Sequence, residues 1–205
     1  MVAQRSAQRT TEQEYLAANE SSPVKLEFLR GQIVKWNGET TAMAGSTPSH
    51  ARLTANIIAA VGSLLRGRAR YITSSDQLVR CEETGENAYP DATVVCPPER
   101  FDLENPLALL NPTALFEVLS PSTAEKDLTT KSDTYFRIES LHHYLIVSQD
   151  QIRVELRSGG EGRWETSVFS RMEDMLELPA LEITLAIADI YHGLNFPSLS
   201  LVSQR

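Results

Sequence analysis

The chain has 205 residues, a length that fits one domain with a substantial hydrophobic core. Its 41% apolar and 22% charged residues are ordinary for a globular protein, and no run approaches the roughly 20 apolar residues of a membrane span. The net charge of −8 argues against a protein that is basic over its whole surface, as nonspecific nucleic-acid binders usually are.

The first residues, MVAQRSAQRT, contain arginines but no apolar core, so they do not predict a signal peptide, and we expect a cytoplasmic protein without a membrane partner. Cys81 and Cys96 lie in or beside predicted strands without metal-site spacing, and we interpret them as core or strand residues. We expect residues 1–22 to form a polar segment with a short helix, residues 23–194 a single domain, and residues 195–205 a polar tail.

A β-hairpin is predicted near the N-terminus. Residues 24–29 alternate between apolar and polar, and the turn Arg30-Gly31-Gln32 leads into a second run that begins at Ile33. Glu27 falls on the face opposite to that of its two apolar neighbours. Composition alone therefore favours a solvated strand face for Glu27, beside Lys25.

A long helix is predicted next, because a cap at Ser46 or Thr47 is followed by Pro48. It is expected to end near Arg66, and its inward stripe is headed by His50. The apolar members of this stripe are Leu53, Ile57, Val61 and Leu64. A lone histidine in such a place is usually a hydrogen-bonded boundary residue, so the pattern assigns His50 no role.

Basic charge is concentrated behind this helix, at Arg66, Arg68 and Arg70, where a helix C-terminus favours positive charge. Residues 71–81 then predict one strand, and residues 82–87 an acidic turn.

Two short apolar runs, separated by a proline-rich loop over 97–112, each carry one carboxylate. Pro90 suits the start of a strand and is followed by Asp91, whereas Glu117 lies between two leucines on one strand face. An unpaired buried carboxylate is costly, so a proton, a cationic side chain or a metal must neutralise Glu117. If the runs pair antiparallel, the two carboxylates meet at one sheet edge, which suits a divalent cation. Alternatively, Asp91 is a turn residue and Glu117 pairs with a core arginine.

A helix is predicted directly after the second run, where Ser122 and Glu125 have the spacing of a capping box and Asp127 lies near the first turn. Lys131 lies on its inward stripe, between apolar residues at helical spacing: Leu128, Tyr135 and Ile138. Lys131 either extends from the edge of the stripe to solvent or directs its amine to the two carboxylates.

The C-terminal third predicts a central strand over 144–147 and a meander formed by residues 152–156 and 164–169. Residues 158–162 predict a glycine-rich turn, and residues 185–191 a short closing helix.

Several of these motifs resemble the Uma family of restriction-endonuclease-like proteins, which belong to the PD-(D/E)xK nuclease superfamily. The resemblance rests on Pro90-Asp91, on FEVLSPST at 116–123, on the spacing of Asp127, Lys131 and Tyr135, and on HYLIVS at 143–148. It extends from about Thr11 to Tyr191. It implies an α/β (α+β) fold in which helices flank a mixed central β-sheet.

The resemblance also implies a site. Asp91 and Glu117 match the ligands of Mg²⁺ (or Mn²⁺), and Glu27 matches an N-terminal acidic position that completes the metal site. The lysine expected two residues after the second carboxylate is Leu119 in this chain. The resemblance offers Lys131 as its replacement. His50 matches a recurrent histidine of the family, to which we assign no role at this stage.

Three functions fit these features. The leading hypothesis is a metal-dependent DNA endonuclease, with Asp91, Glu117 and Lys131 as catalytic residues and a homodimer to cut both strands. The displaced lysine and the acidic charge motivate an alternative, an inactive nuclease-like scaffold that binds nucleic acid or a protein. Glycoside hydrolysis by paired carboxylates is a third function, but it leaves an inward lysine without a role.

Overall fold

A computed structural model of the chain describes residues 9–36, 47–119, 124–160 and 163–196, without the side chains of residues 124–129. The α-helices in these ranges are α1 (Glu12–Ser21), α2 (Pro48–Leu64), α3 (Ala124–Tyr135) and α4 (Ile187–Ile190). The strands are β1 (Leu26–Leu29), β2 (Gln32–Lys35), β3 (Tyr71–Ser74), β4 (Leu78–Arg80), β5 (Asn87–Ala88), β6 (Ala92–Val95), β7 (Ala108–Leu109), β8 (Pro112–Leu119), β9 (His143–Ser148), β10 (Val154–Gly160), β11 (Arg163–Phe169), β12 (Met175–Leu178) and β13 (Ile183–Ala186).

A six-stranded mixed sheet forms the centre of the molecule, with the strand order β11-β10-β9-β8-β6-β3. Strands β8 and β9 are parallel, and the other neighbours are antiparallel. Side chains along both central strands are buried almost throughout, because apolar clusters cover both faces of the sheet. The predicted central strand over 144–147 and the predicted meander are confirmed. The predicted glycine-rich turn over 158–162 is too long, because residues 158–160 pair with β11 as the end of β10.

Helix α2 covers one face of this sheet. Leu53, Ile57 and Val61 are fully buried against residues of β6, β8 and β9, together with the segment from β12 to α4. The last apolar residue of the predicted stripe is wrong by one position, since Leu64 is 37% exposed and Leu65 is buried. Leu65 is four positions after Val61, which is about one helical turn. Its side chain therefore points inward like those of the buried residues before it in the stripe.

A second sheet, with the order β2-β1-β5-β4-β7, lies towards the other face and carries the N-terminal hairpin. The hairpin turn is formed by Arg30 and Gly31, with φ of 51° and 72°. Two positive φ values match the twist that a two-residue hairpin needs. Helix α1 joins this sheet through Tyr15, whose ring stacks on Phe28 and whose hydroxyl donates to the Leu26 carbonyl at 3.0 Å.

The predicted single strand over 71–81 is wrong. It is divided into β3 and β4, which belong to different sheets. The turn between them is closed by the N–H of Gln77, which donates to the Ser74 carbonyl at 3.1 Å. The Asp76 carboxylate in this turn accepts from Lys25 Nζ at 2.6 Å. This distant lysine holds the bend that sends the chain from one sheet to the other.

Two further expectations need correction. The predicted loop over 97–112 contains β7, which pairs parallel with β4. The predicted helix over 185–191 begins as β13, which pairs with β12, and only Ile187–Ile190 is helical. Along β13 buried and exposed residues alternate, and this alternation is the period of a strand.

The predicted capping box of Ser122 and Glu125, together with Asp127 and Leu128, lies outside the residues whose side chains the structure describes. Within the described ranges, the helices lack the length and apolar character that crossing a lipid bilayer requires.

Candidate active site

The pairing of β6 with β8 places two carboxylates beside each other. Ala92 faces Phe116 in an antiparallel register, so Asp91 lies opposite the end of β8. The N–H of Val118 donates to Asp91 Oδ2 at 2.7 Å. Asp91 and Glu117 are 3% and 8% exposed. The antiparallel arrangement that brings both to one edge of the sheet is therefore present.

Glu27 joins this edge from the second sheet. It is 3% exposed, because α3 packs against β1, and the solvated strand face favoured by composition is wrong. Its Oε1 accepts from the N–H of Tyr89 at 2.8 Å and lies 3.0 Å from Lys131 Nζ. These contacts place Glu27 between the segment that leads to Asp91 and helix α3.

Lys131 extends from α3 to the carboxylates. Its Nζ lies 3.0 Å from Glu27 Oε1 and 3.1 Å from Glu117 Oε1, and the residue is 8% exposed. The sequence left open whether the amine extends to solvent or to the carboxylates, and the structure shows that it extends to the carboxylates. Burial opposes its charge, but Glu117 and Glu27 outweigh burial and raise the pKa of Lys131 well above its usual range. Lys131 therefore carries its positive charge at neutral pH.

Helix α3 is held in place by a network at its outer side. Thr134 donates its hydroxyl to Glu86, and the same carboxylate accepts from the N–H of Arg30 in the hairpin turn. A second link joins the Arg30 guanidinium to Asp133 at 2.6 Å. The turn between β1 and β2 thus fixes the helix that carries Lys131.

Tyr135 lies one turn after Lys131 and donates its hydroxyl to Glu117 Oε1 at 3.0 Å. Its ring packs edge-on against Tyr144, with 5.3 Å between centroids. Burial and the charge of Glu117 raise the pKa of Tyr135 well above its usual range, so the hydroxyl remains a neutral donor.

His50 is the residue of the site to which the sequence assigned no role. It lies in the first turn of α2, where its N–H donates to the capping Thr47 Oγ1 at 3.1 Å. Its Nε2 lies 3.3 Å from Asp91 Oδ2. Burial lowers the pKa of His50, but the hydrogen bond and charge of Asp91, with Glu117, raise it overall. The feature of the sequence that could have identified His50 as a site residue is its position at the start of an otherwise apolar stripe.

The three carboxylates share one pattern of contacts. In each of them a single oxygen has two polar partners: Oδ2 of Asp91 has Val118 N–H and His50, Oε1 of Glu117 has Lys131 and Tyr135, and Oε1 of Glu27 has Tyr89 N–H and Lys131. Among contacts that join described residues, the second oxygen of each carboxylate has no donor. Within the contacts of the described residues, one oxygen of each group anchors the side chain, and the other is open to a ligand.

Negative charge is in excess at this site. Burial raises the pKa of Glu117 to about 7, and the charges of Asp91 and Glu27 add to this effect, although Lys131 opposes it. A proton therefore competes for Glu117 near neutral pH. A divalent cation would relieve the same excess charge and displace that proton.

The donor set fits an open magnesium site rather than a closed protein cage. In the part of the chain that the structure describes, no three His, Cys, Asp or Glu side chains are grouped so that they would hold a metal by themselves. Mg²⁺ usually binds one or two carboxylates and completes its six ligands with waters and substrate phosphates. Asp91 and Glu117 can supply the carboxylate share of such a site.

The structure brings together Glu27, Asp91, Glu117 and Lys131, all four of the predicted site residues, and adds His50 and Tyr135. The predicted basic stretch has other contacts, since Arg68 and Arg70 lie 3.0 and 3.3 Å from Glu182 Oε2. The roles of the four predicted residues stay predictions.

Comparison with known proteins gives related sequences. A family model described as "Uma2: Putative restriction endonuclease" matches residues 12–188, a range that contains the whole site. "Uncharacterized protein sll1609" of Synechocystis sp. PCC 6803 is 32% identical over 155 residues, which are 75% of this chain and 84% of that relative. "Uncharacterized protein slr1290" of the same organism is 29% identical over 185 residues, 90% of this chain and 92% of the relative.

A solved structure has the same fold. It is the crystal structure of "a putative nuclease belonging to DUF820" from Anabaena variabilis, with a TM-score of 0.69 over 88% of this chain and 97% of that one. The two sequences are 16% identical, so the likeness concerns the fold. The predicted mixed sheet flanked by helices, with a nuclease-like fold, is confirmed.

Proposed function

The chain belongs to the Uma2 family, which is described as "Putative restriction endonuclease", and from this premise we propose that it is a metal-dependent endonuclease that hydrolyses phosphodiester bonds of DNA. One observation carries the proposal: a buried lysine contacts two of three carboxylates that converge where the sheets meet. Each carboxylate has an oxygen that no described donor occupies.

Asp91 and Glu117, with Glu27, would hold Mg²⁺ or Mn²⁺ through these oxygens. When bound, the ion would polarise a phosphoryl oxygen and lower the pKa of a coordinated water. The protein's contribution is to fix the carboxylates before the ion arrives, through Val118 N–H, Tyr89 N–H and Tyr135.

In this proposal Lys131 acts through its positive charge and does not act as a general base. Its raised pKa keeps the amine protonated throughout the neutral range, so it cannot accept a proton from water. A fixed ammonium next to the reacting phosphate stabilises the charge that develops in the transition state. The superfamily motif has a lysine at the strand position that Leu119 occupies in this chain, and Lys131 takes over the role of that lysine.

DNA is the substrate in this proposal, and a homodimer is part of it, because two sites cut two strands most simply. Size-exclusion chromatography with light scattering measures the oligomeric state. A monomer that still makes double-strand breaks would remove the dimer from the proposal and leave the chemistry in place.

The test is cleavage of plasmid DNA in the presence of Mg²⁺ or Mn²⁺. Asp91→Asn and Lys131→Met should each reduce the rate by about 100-fold or more, as removal of one electrostatic group in an active site does. Lys25 and Asp76 form an ion pair elsewhere, so Lys25→Met and Asp76→Asn are matched controls that should cleave like the wild type. Equal cleavage by the wild type, Asp91→Asn and Lys131→Met would refute the proposal.

A second candidate, a nuclease-like scaffold that binds without cutting, is favoured by one observation. Lys131 already contacts both Glu27 and Glu117, so these carboxylates share a cation in the absence of a metal. Isothermal titration calorimetry with Mn²⁺ distinguishes the two functions. Binding that disappears in Asp91→Asn supports the enzyme, and absent binding with intact carboxylates supports the scaffold.

A further inference from the structure

Asp91 has its two described polar contacts on one oxygen, and they come from different elements. Val118 N–H belongs to the backbone of β8 and approaches Oδ2 at 2.7 Å, whereas His50 Nε2 belongs to α2 and lies 3.3 Å from it. A single donor leaves a carboxylate free to rotate about its Cβ–Cγ bond. The Val118 N–H and the His50 nitrogen, which reach Oδ2 from two different elements, restrict that rotation and with it the position of Oδ1.

The histidine ring is itself held by a chain of contacts. Thr47 caps α2 by accepting from the N–H of His50, and its hydroxyl donates to Oε1 of Gln149. Gln149 is 7% exposed and directly follows β9. The end of the central strand thus fixes the start of α2, and the start of α2 fixes His50 against Asp91.

His50 does not act as a ligand in this arrangement, since its Nε2 is directed at Asp91 Oδ2. We propose that His50 is a positioning residue, which holds Oδ2 of Asp91 together with Val118 N–H so that Oδ1 is presented to the divalent cation. The inference rests on the proposed metal-dependent function of this site.

A second buried histidine provides the matched control. His143 is 3% exposed, against 8% for His50, and lies in β9. Its Nε2 accepts from the N–H of Ala180 at 3.2 Å, and its Nδ1 lies 3.1 Å from Ser158 Oγ. His143 has no described carboxylate contact, so its replacement tests what the loss of a buried histidine does to the protein without changing Asp91.

The experiment measures Mn²⁺ affinity by calorimetry without DNA, on the full chain. Hydrogen-bond partners of metal ligands typically contribute about 10- to 100-fold to metal affinity. His50→Leu should therefore weaken Mn²⁺ binding by about that factor. His50→Gln should return the affinity to within a few-fold of the wild type, because its amide N–H reaches approximately the position of Nε2. His143→Gln should bind Mn²⁺ like the wild type.

The folded state of each variant is checked by circular dichroism. If His50→Leu does not fold, His50→Asn replaces it, since its amide is one methylene shorter than that of glutamine and does not reach Asp91. Weaker binding by His50→Asn than by His50→Gln then supports the inference.

Two results would overturn the inference, and they differ in whether the proposed metal site is also refuted. Wild-type affinity in His50→Leu or His50→Asn, with weakened binding in Asp91→Asn, refutes the role of His50 and keeps the metal site. Absent Mn²⁺ binding by the wild type refutes both the positioning role and the proposed function.

Discussion

His50 and His143 are both buried, but their surroundings shift their pKa values in opposite directions. Burial, with a small contribution from His142, lowers the pKa of His143 to about 4. At His50 burial has the same sign, but Asp91 and Glu117 outweigh it and raise the pKa. The difference is in the neighbours, since His143 contacts a hydroxyl and an amide and His50 contacts a carboxylate.

The surroundings of His143 favour a stable fold, whereas those of His50 concentrate charged groups. Around His143 the polar groups are neutral and paired with each other, which is the arrangement that buried polar groups favour. Around His50 three carboxylates and a lysine are buried together, and burying any one of these charges without the others would cost free energy. Such an arrangement is typical of functional sites, where pKa values are perturbed by burial and by nearby charges.

The largest effect on stability is expected from Lys131→Met. It leaves Glu27 and Glu117 buried without their shared cation, and breaking a buried pair by removing one partner costs about 3–5 kcal/mol. Urea unfolding at about pH 8 without divalent ions measures the loss. Arg137→Met is the control, because Arg137 and its partner Glu83 are both more than half exposed, and its loss should stay below about 1 kcal/mol. Similar losses for Lys131→Met and Arg137→Met would contradict the buried-charge account.

The second prediction concerns His143 and acid. Its folded pKa of about 4 lies below the ordinary value of 6.5, so the neutral ring stabilises the fold above pH 6.5. This contribution is lost as the pH falls from 6.5 towards 4, because the unfolded chain takes up the proton first. The free energy of unfolding of the wild type, relative to His143→Gln, should fall by roughly 3 kcal/mol between about pH 7.5 and pH 4. A difference that does not change with pH would show that His143 is not buried as a neutral ring.

The sequence predicted the central part of the fold and the two core carboxylates for physical reasons. Strand alternation placed Asp91 and Glu117 in two runs, and the antiparallel pairing on which their meeting depended is present. Helical spacing placed Lys131 on the inward stripe of α3. These features are local in sequence or depend on one pairing, so the chain itself encodes them.

The parts that the sequence did not predict depend on distant residues. Glu27 is buried because α3 packs against β1, whereas composition alone favoured solvent for it and the family resemblance, not a local pattern, assigned it to the site. The role of His50 depends on the contact between α2 and Asp91, which no local pattern shows. The division of residues 71–81 between two sheets depends on a turn that Lys25 holds from the hairpin.

The third prediction has the opposite pH dependence to that of His143. The folded pKa of Glu117, about 7, lies above the ordinary value of 4.5, so its protonated form stabilises the fold below pH 4.5. This contribution is lost as the pH rises towards 7. Glu117→Gln keeps an acceptor for Lys131 and Tyr135, and it should gain stability over the wild type by on the order of 1–3 kcal/mol between about pH 5 and pH 8. Urea unfolding at several pH values in chelator measures it, and a constant difference between the two proteins would contradict the pKa shift.

The smallest effect is expected at the arginines behind α2, the concentrated basic stretch of the sequence. Arg68 and Arg70 contact Glu182, whose side chain is 66% exposed, and exposed pairs contribute at most about 1 kcal/mol. Arg68→Gln should therefore change the free energy of unfolding by less than about 1 kcal/mol.

The same pairing bears on DNA binding, because Glu182 cancels positive charge that phosphates would otherwise attract. Fluorescence anisotropy with duplex DNA in Ca²⁺ should give the same affinity for Arg68→Gln as for the wild type. Glu182→Gln sharpens the test, since it would strengthen binding if these arginines faced the DNA. We expect no change in either variant, and a tenfold change in either one would place the DNA across the C-terminal end of α2 rather than only at the site of Asp91.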